Sequence, residues 1–148
     1  MLTVSKRHFL ATAHRLYDYN GKCERLHGHN YLIEITVTQP KLDEQGMIID
    51  FAELNNTLLK SLDLAWDHKT LLYKSDPLCA ALSEILKDGS VVPVPFNPTA
   101  ENMASYLGEK FFPTVIAEKL PTTLEVIRVT VFETENNAAT WSKSPLGQ

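Results

Sequence analysis

The sequence is short of cysteine, of basic runs and of long apolar stretches, and each shortage excludes a class of protein. Two cysteines, Cys23 and Cys79, are too few for a disulfide framework and suit a reducing compartment. The formal net charge is −4, and Lys and Arg never form a run that could follow a phosphate backbone, so nucleic acid is not an expected partner. No apolar run approaches the length of a membrane span, so no membrane partner is expected either. Near the start, Lys6, Arg7 and His8 stand where a secretory signal would need its apolar segment. There are no repeats and no low-complexity segments. What remains is a cytoplasmic chain of 148 residues, expected to form one domain over 1–148 around one core.

What is present is concentrated in one stretch, Cys23-Glu24-Arg25-Leu26-His27-Gly28-His29-Asn30-Tyr31. It leads into a segment where Tyr31, Ile33, Ile35 and Val37 alternate with mostly polar neighbours, the period of a half-buried strand. Extending that parity backwards puts His29 and His27 on the apolar face. Same-face neighbours on a strand lie roughly 6.5–7 Å apart, so two imidazoles there can converge on one metal ion. Gly28 leaves the opposite face open to close approach.

The rest of the chain reads as elements around that strand. Residues 2–13 predict a first strand, with Phe9, Ala11 and Ala13 on one face and His14 at its end on the other parity. An Asn20-Gly21 turn makes the first two strands an antiparallel pair. Asp50, with Glu53 three residues on, starts a helix over about 51–62, with Phe51, Leu54, Leu58 and Leu62 as its stripe. Asp76-Pro77 opens a shorter helix with Leu78, Leu82, Ile85 and Leu86 inward, Cys79 as a small buried hydrophobe and Gly89 as the stop. Val91 to Phe96 reads as short and extended. Thr99 caps another helix that turns Ala100, Met103, Ala104, Leu107 and Phe111 inward. Thr123 to Thr134 is the last strong strand, with Ile127, Val129, Val131 and Glu133 on one face, and Ser142 to Gln148 is a loose tail. The fold class is α+β, with helices on one face of an antiparallel sheet.

Three groups could carry chemistry. His14, His27 and His29 make a three-imidazole set, which with an open fourth position is the pattern of a catalytic zinc site. Cys23 is either a fourth ligand, making the zinc structural, or a free thiol beside the metal, and spacing leaves both open. Asp67 next to His68 forms a unit in which the carboxylate can orient an acid–base imidazole if the two lie on a turn. Glu133, on an apolar strand face, needs a partner and suits a ligand offering paired N–H donors.

These motifs, with Ala13-His14-Arg15-Leu16, Gly46-Met47, Asp50-Phe51, Leu64 to His68, Pro98-Thr99-Ala100-Glu101-Asn102 and Phe132 to Asn137, occur in an order that covers Phe9 to about Trp141. In that order the chain resembles the 6-pyruvoyl-tetrahydropterin synthase and 6-carboxytetrahydropterin synthase family. The resemblance implies a T-fold: an antiparallel four-stranded sheet with two main helices on one face. In this family the sheets join into a trimeric barrel and two trimers stack as a homohexamer, with active sites between subunits. It also implies that His14, His27 and His29 hold Zn2+. Cys23 would be the proton-transferring thiol and Asp67 with His68 a second proton-transfer unit. Glu133 would anchor a pterin ring with help from Thr99 and Glu101.

The implied substrate is 7,8-dihydroneopterin triphosphate, a small molecule. Loss of triphosphate gives 6-pyruvoyltetrahydropterin. Further cleavage of the carbon–carbon bond in the substrate's own side arm gives 6-carboxytetrahydropterin and acetaldehyde, a step toward queuosine and other 7-deazapurines. The three residues between Cys23 and His27 resemble the carboxy-forming branch, whereas Glu133 to Asn137 looks like the pyruvoyl-forming one. The gap carries more weight, because it positions the thiol against the metal. A third branch, in folate synthesis, has Glu in place of the thiol, against which Cys23 argues. The non-enzyme alternative is a zinc-stabilised binding module with Cys23 as fourth ligand. Lys22 and Arg25 are the nearby candidates for the triphosphate, and residues 72–97 form a longer segment than in short bacterial members.

Overall fold

The computed structural model describes residues 1–120 and 123–143; the tail expected at 144–148 lies outside the described residues. In sequence order the elements are β1 (Val4–His14), β2 (His27–Thr38), α1 (residues 51–66), β3 (Lys69–Tyr73), α2 (Pro77–Leu86), β4 (Val91–Val94), α3 (residues 100–119), β5 (Glu125–Phe132) and β6 (Ala138–Ser142). The strands form one sheet in the order β4-β3-β1-β2-β5-β6.

The centre of the sheet is the antiparallel pair β1–β2, whose register sets His14 opposite His27, Thr12 opposite His29 and Leu10 opposite Tyr31. Alternation sends Leu10, Thr12 and His14 of β1, and Tyr31, Ile33, Ile35 and Val37 of β2, into the buried side. The parity of Phe9, Ala11 and Ala13 faces the other way, and Phe9 is 71% exposed.

The sheet departs from the four antiparallel strands expected: the described residues give six, and β1–β3 and β3–β4 are parallel. β3 shows no alternation because Leu71 and Leu72 are both buried, as in a strand covered on both faces. β6 joins β5 through a turn closed by the Glu133 N–H on the Asn137 carbonyl at 2.9 Å. The last strong strand therefore ends at Phe132, not Thr134, and Glu133 sits in a turn. A bulge opposite Thr36 and Val37 shifts the register, so Val126, not Ile127, joins Val129 and Val131 in the core.

Among the described residues there are three helices, the two long ones and the shorter one expected from Asp76-Pro77. In α1, Asp50 accepts the Ala52 N–H at 2.7 Å, and the helix runs to Trp66. Its middle, Asn55–Leu59, is wound as a π-helix. The wider turn brings Leu58 and Leu59 inward together with Leu54 and Leu62, while Phe51, at the first turn, stays 53% exposed. In α2 Cys79 is buried, but Ile85 and Leu86 are exposed, because only the start of this helix lies against the core. A left-handed Lys87 ends it, ahead of the expected Gly89. α3 starts at Thr99, whose hydroxyl accepts the Asn102 N–H. It changes to π winding over Leu107–Phe111 just before Pro113, which a regular helix interior would not accommodate. That winding makes Phe112 the fully buried residue rather than Phe111.

Gly108 ties α3 to the sheet edge. A Cβ there would fall 2.1 Å from Cε3 of Trp141 in β6, whose indole N–H donates to Glu109 at 2.9 Å. Gly108→Ala is therefore expected to destabilise the fold by about 2 kcal/mol through overpacking. Urea unfolding checks this, and a variant as stable as the parent would contradict the packing.

Candidate metal centre

The site begins as a consequence of strand register. β1 ends on His14 and β2 begins on His27, so the two are cross-strand neighbours, and the two-residue period adds His29 to the same face. The ring centroids lie 4.6 Å (His14–His27), 4.9 Å (His27–His29) and 5.2 Å (His14–His29) apart. Gly28 allows this crowding: a Cβ there would meet the Thr12 carbonyl oxygen at 3.2 Å. From the turn after β5, Glu133 reaches the same point, with Oε1 2.9 Å from His29 Nε2 and 4.0 Å from His14 Nε2. One potential ligand atom from each of His14, His27, His29 and Glu133 falls within 4.8 Å of all the others.

The surroundings prepare these rings as ligands. His14 Nδ1 donates to the Pro98 carbonyl at 2.7 Å and His27 Nδ1 to the Arg25 carbonyl at 2.6 Å. A carbonyl can only accept, so in both rings Nδ1 carries a proton and Nε2 is the nitrogen left for the cluster, the backing expected of metal-bound histidines. Burial pushes the pKa of His14 down, with the Pro98 carbonyl and Glu133 opposing. Burial also pushes His29 down against the pull of Glu133. Both are thus held neutral, as ligands must be. Nε2 of His14 is buried without a hydrogen-bond partner, a costly state that a bound cation would relieve. The donor set fits a divalent metal ion.

Tyr31 forms the floor. Its ring lies edge-on to His14 and His29, and its buried hydroxyl also has no hydrogen-bond partner. Burial raises the tyrosine pKa, and the charges of Glu133 and Cys23 add to it. Strand periodicity marks this tyrosine only as core; its position two residues after His29 is the signal that places it beside the site.

Cys23 lies in a short 3-10 turn, Lys22–Glu24, before β2, half-buried, with its carbonyl accepting the Leu16 N–H at 2.8 Å. Its thiol is not among the four grouped ligands. Asp67 and His68 do form a bonded pair: Asp67 Oδ2 accepts His68 Nδ1–H at 2.7 Å. The left-handed backbone at His68, φ 57°, turns the adjacent side chains together. The Ala11 N–H donates to Asp67 Oδ1 and the His68 N–H to the Ala11 carbonyl, which fixes the pair to β1. Burial raises the Asp67 carboxyl, but these hydrogen bonds outweigh it and leave its pKa below the usual value.

The His68 side chain is 82% exposed and edges an open hollow of about 460 Å³ whose lining includes Ala11, Ala13, Gly28, Asn30 and His29. Neither Asp67 nor His68 is among the grouped ligand atoms of the imidazole cluster. Thr99 and the exposed Glu101 sit in the first turn of α3, next to the Pro98 carbonyl that holds His14.

Two supports were not visible in sequence. Arg15, directly after His14, makes a two-point contact with Asp76, whose carboxylate is buried and also caps α2 through the Leu78 N–H at 2.8 Å. Asn97 pairs with both backbone groups of Tyr17 at 2.8 Å and binds Asn102 through its own carbonyl. Together they tie the segment 74–97 to the end of β1.

Known proteins can be set beside this geometry. The family model described as 6-pyruvoyl tetrahydropterin synthase matches residues 3–144. The chain is 32% identical over 136 residues to the 6-carboxy-5,6,7,8-tetrahydropterin synthase of Rickettsia typhi, covering 92% of this chain and 96% of that one. It is 34% identical to the protein of the same name from Aquifex aeolicus, covering 83% and 77%. A solved structure of an uncharacterised protein from Wolinella succinogenes superposes with a TM-score of 0.78 at 23% identity, covering 97% and 98%. The 6-pyruvoyl tetrahydropterin synthase of Caenorhabditis elegans gives 0.63 at 26%, covering 97% and 96%.

The hydrogen bonds from Arg15 hold the Asp76 carboxyl below its ordinary 3.8. A carboxyl depressed by folding stabilises the protein fully above its unfolded pKa and loses that contribution as pH falls through the folded one. Asp76→Asn is therefore expected to cost about 2–3 kcal/mol near neutral pH, with the gap from the parent narrowing near pH 3. Urea unfolding at the two pH values measures this; a gap that does not change with pH would remove the ion pair from the account.

Proposed function

The chain belongs to the 6-pyruvoyl tetrahydropterin synthase family of lyases, and on that premise we propose that it is a zinc-dependent 6-carboxy-5,6,7,8-tetrahydropterin synthase. The substrate is 7,8-dihydroneopterin triphosphate, and the products are 6-carboxytetrahydropterin, acetaldehyde and triphosphate. One observation carries the reading: three imidazoles converge, and a free cysteine stands only three intervening residues before the His-Gly-His. Two relatives that bear the carboxy-forming name, at 32% and 34% identity, favour that branch.

His14, His27 and His29 would hold the zinc, which when bound supplies Lewis acidity toward the hydroxyls of the substrate's side arm. The Pro98 and Arg25 carbonyls keep the first two rings aimed, with Nδ1 engaged and Nε2 left for the ion. Cys23 takes and returns a proton at that arm. Asp67 holds Nδ1–H of His68, which leaves the exposed His68 Nε2 free to accept or deliver a second proton. Glu133 accepts the ring's paired N–H donors, aided by Thr99 and Glu101, and Lys22 and Arg25 serve the triphosphate. Asp67 and His68 lie outside the imidazole cluster of the same chain, which is in keeping with active sites shared between subunits of a homohexamer, in which a neighbour supplies the Asp67–His68 pair. We place the enzyme in the cytoplasm; no helix among the described residues is long and apolar enough to cross a membrane.

Incubation of the zinc-loaded protein with 7,8-dihydroneopterin triphosphate, with products identified by mass, tests the reading. Acetaldehyde with 6-carboxytetrahydropterin supports it; 6-pyruvoyltetrahydropterin as end product moves the chain to the other branch, and no turnover overturns both. Cys23→Ala should keep its zinc and lose at least about a hundredfold in turnover. Loss of zinc instead would favour a non-catalytic module with Cys23 as ligand.

A further inference from the structure

Tyr31 brings a hydroxyl into the interior that nothing there bonds. The residue is fully buried at the floor of the imidazole cluster, and its oxygen has no hydrogen-bond partner. The other buried hydroxyls among the described residues are all satisfied. Thr12 donates to the Trp66 carbonyl and Thr38 to the Leu2 carbonyl, while Thr36 pairs with Ser5 and Thr130 with Thr140. A hydroxyl taken out of water without a partner costs roughly 1–3 kcal/mol. A phenylalanine would fill the same place in β2 without that cost, so packing does not account for the oxygen.

The oxygen belongs to the site and not to the apolar core. The Tyr31 ring centroid is 5.7 Å from that of His14 and 5.2 Å from that of His29, both edge-on. Beyond burial, the charges that act on the hydroxyl are those of Glu133, in the turn after β5, and Cys23, in the turn before β2. These two groups come from separate turns, and a point that feels both lies against the cluster. A phenol holds its proton at neutral pH, so this oxygen is available as a donor.

We propose that Tyr31 is a specificity-determining residue: its hydroxyl donates a hydrogen bond to an oxygen of the ligand seated at the imidazole cluster. The donor stands on the unbonded hydroxyl; the identity of the acceptor, a hydroxyl of the substrate's side arm, rests on the pterin reading given above. A ligand with an oxygen at that point restores the bond lost on burial. One without it leaves the donor unpaired, so the site selects for an oxygenated arm. Where charge grows on that oxygen as a proton leaves the neighbouring carbon, a donor already in place stabilises it.

Tyr31→Phe removes the oxygen and keeps the ring. No internal bond goes with it, so the metal-free variant is expected to melt at or above the parent's temperature and to take up zinc as tightly. Calorimetry on the zinc-loaded proteins then reads recognition. The probes are neopterin, which has a hydroxylated arm, and pterin, which has none. Neopterin is expected to bind Tyr31→Phe at least about tenfold more weakly than the parent, with pterin unchanged. An unchanged neopterin affinity overturns the proposal. If it comes with a lower melting temperature, the hydroxyl serves the fold through a buried water. Equal weakening of both probes moves the contact to the ring and overturns the arm assignment, and loss of zinc assigns the hydroxyl to the metal's surroundings and overturns it too. Should Tyr31→Phe not fold, the parent with 3-fluorotyrosine at this position decides: its fluorine resonance should move further with neopterin than with pterin, and equal shifts overturn the proposal.

Acetohydroxamate separates the donor from the pterin reading, because it offers oxygens to a zinc site and carries no pterin ring. If neopterin does not bind the parent, the pterin reading falls and acetohydroxamate decides the donor. Binding about tenfold weaker in Tyr31→Phe upholds it, equal binding overturns it, and a parent that binds neither probe overturns both. If neopterin behaves as expected but the triphosphate is not turned over, the proposed reaction falls and the Tyr31 assignment stands.

Discussion

The register of β1 against β2 is the constraint on which the centre depends. His14 faces His27 and Thr12 faces His29 because eleven consecutive pairs hold the two strands in step. A slip of one residue would turn every side group of one strand to the other face and scatter the imidazoles. The slip is opposed by the apolar residues further along the same face. Leu10, Tyr31, Ile33, Ile35 and Val37 are all fully buried, and moving them into water would cost roughly 1.5–3 kcal/mol each. The hydrophobic core thus sets the geometry of a polar site at its edge.

Backbone groups supply the next level of control. The Pro98 and Arg25 carbonyls decide which nitrogen of each ring faces inward, and Asn97, Arg15 and Asp76 hold the loops around the end of β1. Burial keeps His14 and His29 neutral, so desolvation, which destabilises a charged group, here favours ligation. The Asp67–His68 pair is built differently. It depends on a left-handed backbone at an exposed residue, held by two hydrogen bonds to Ala11.

What was legible in the sequence followed from periodicity. The placement of His27 and His29 on the apolar face, of His14 on the adjoining strand end, and of Thr99 as a cap depended on local spacing, and the structure has all three. The concealed features are those in which local spacing changes. The bulge near Ile127 reverses a parity, the π turns in α1 and α3 shift two helical stripes by a residue, and β3 has no alternation to read. The position of Glu133 was legible only as a carboxylate needing a partner. That the partners include His29 and His14 depends on the turn that ends β5, which no spacing rule specified. The carbonyl of Pro98 carries no sequence signal beyond the motif that contains it.

The unpartnered ring nitrogen of His14 has a wider consequence. Without an ion the polypeptide holds a desolvated polar atom that nothing in it answers, so any affinity for the ion adds directly to resistance against unfolding. If the cluster takes up an ion, protein lifetime would be linked to mineral supply, because molecules left empty would open more often to proteases.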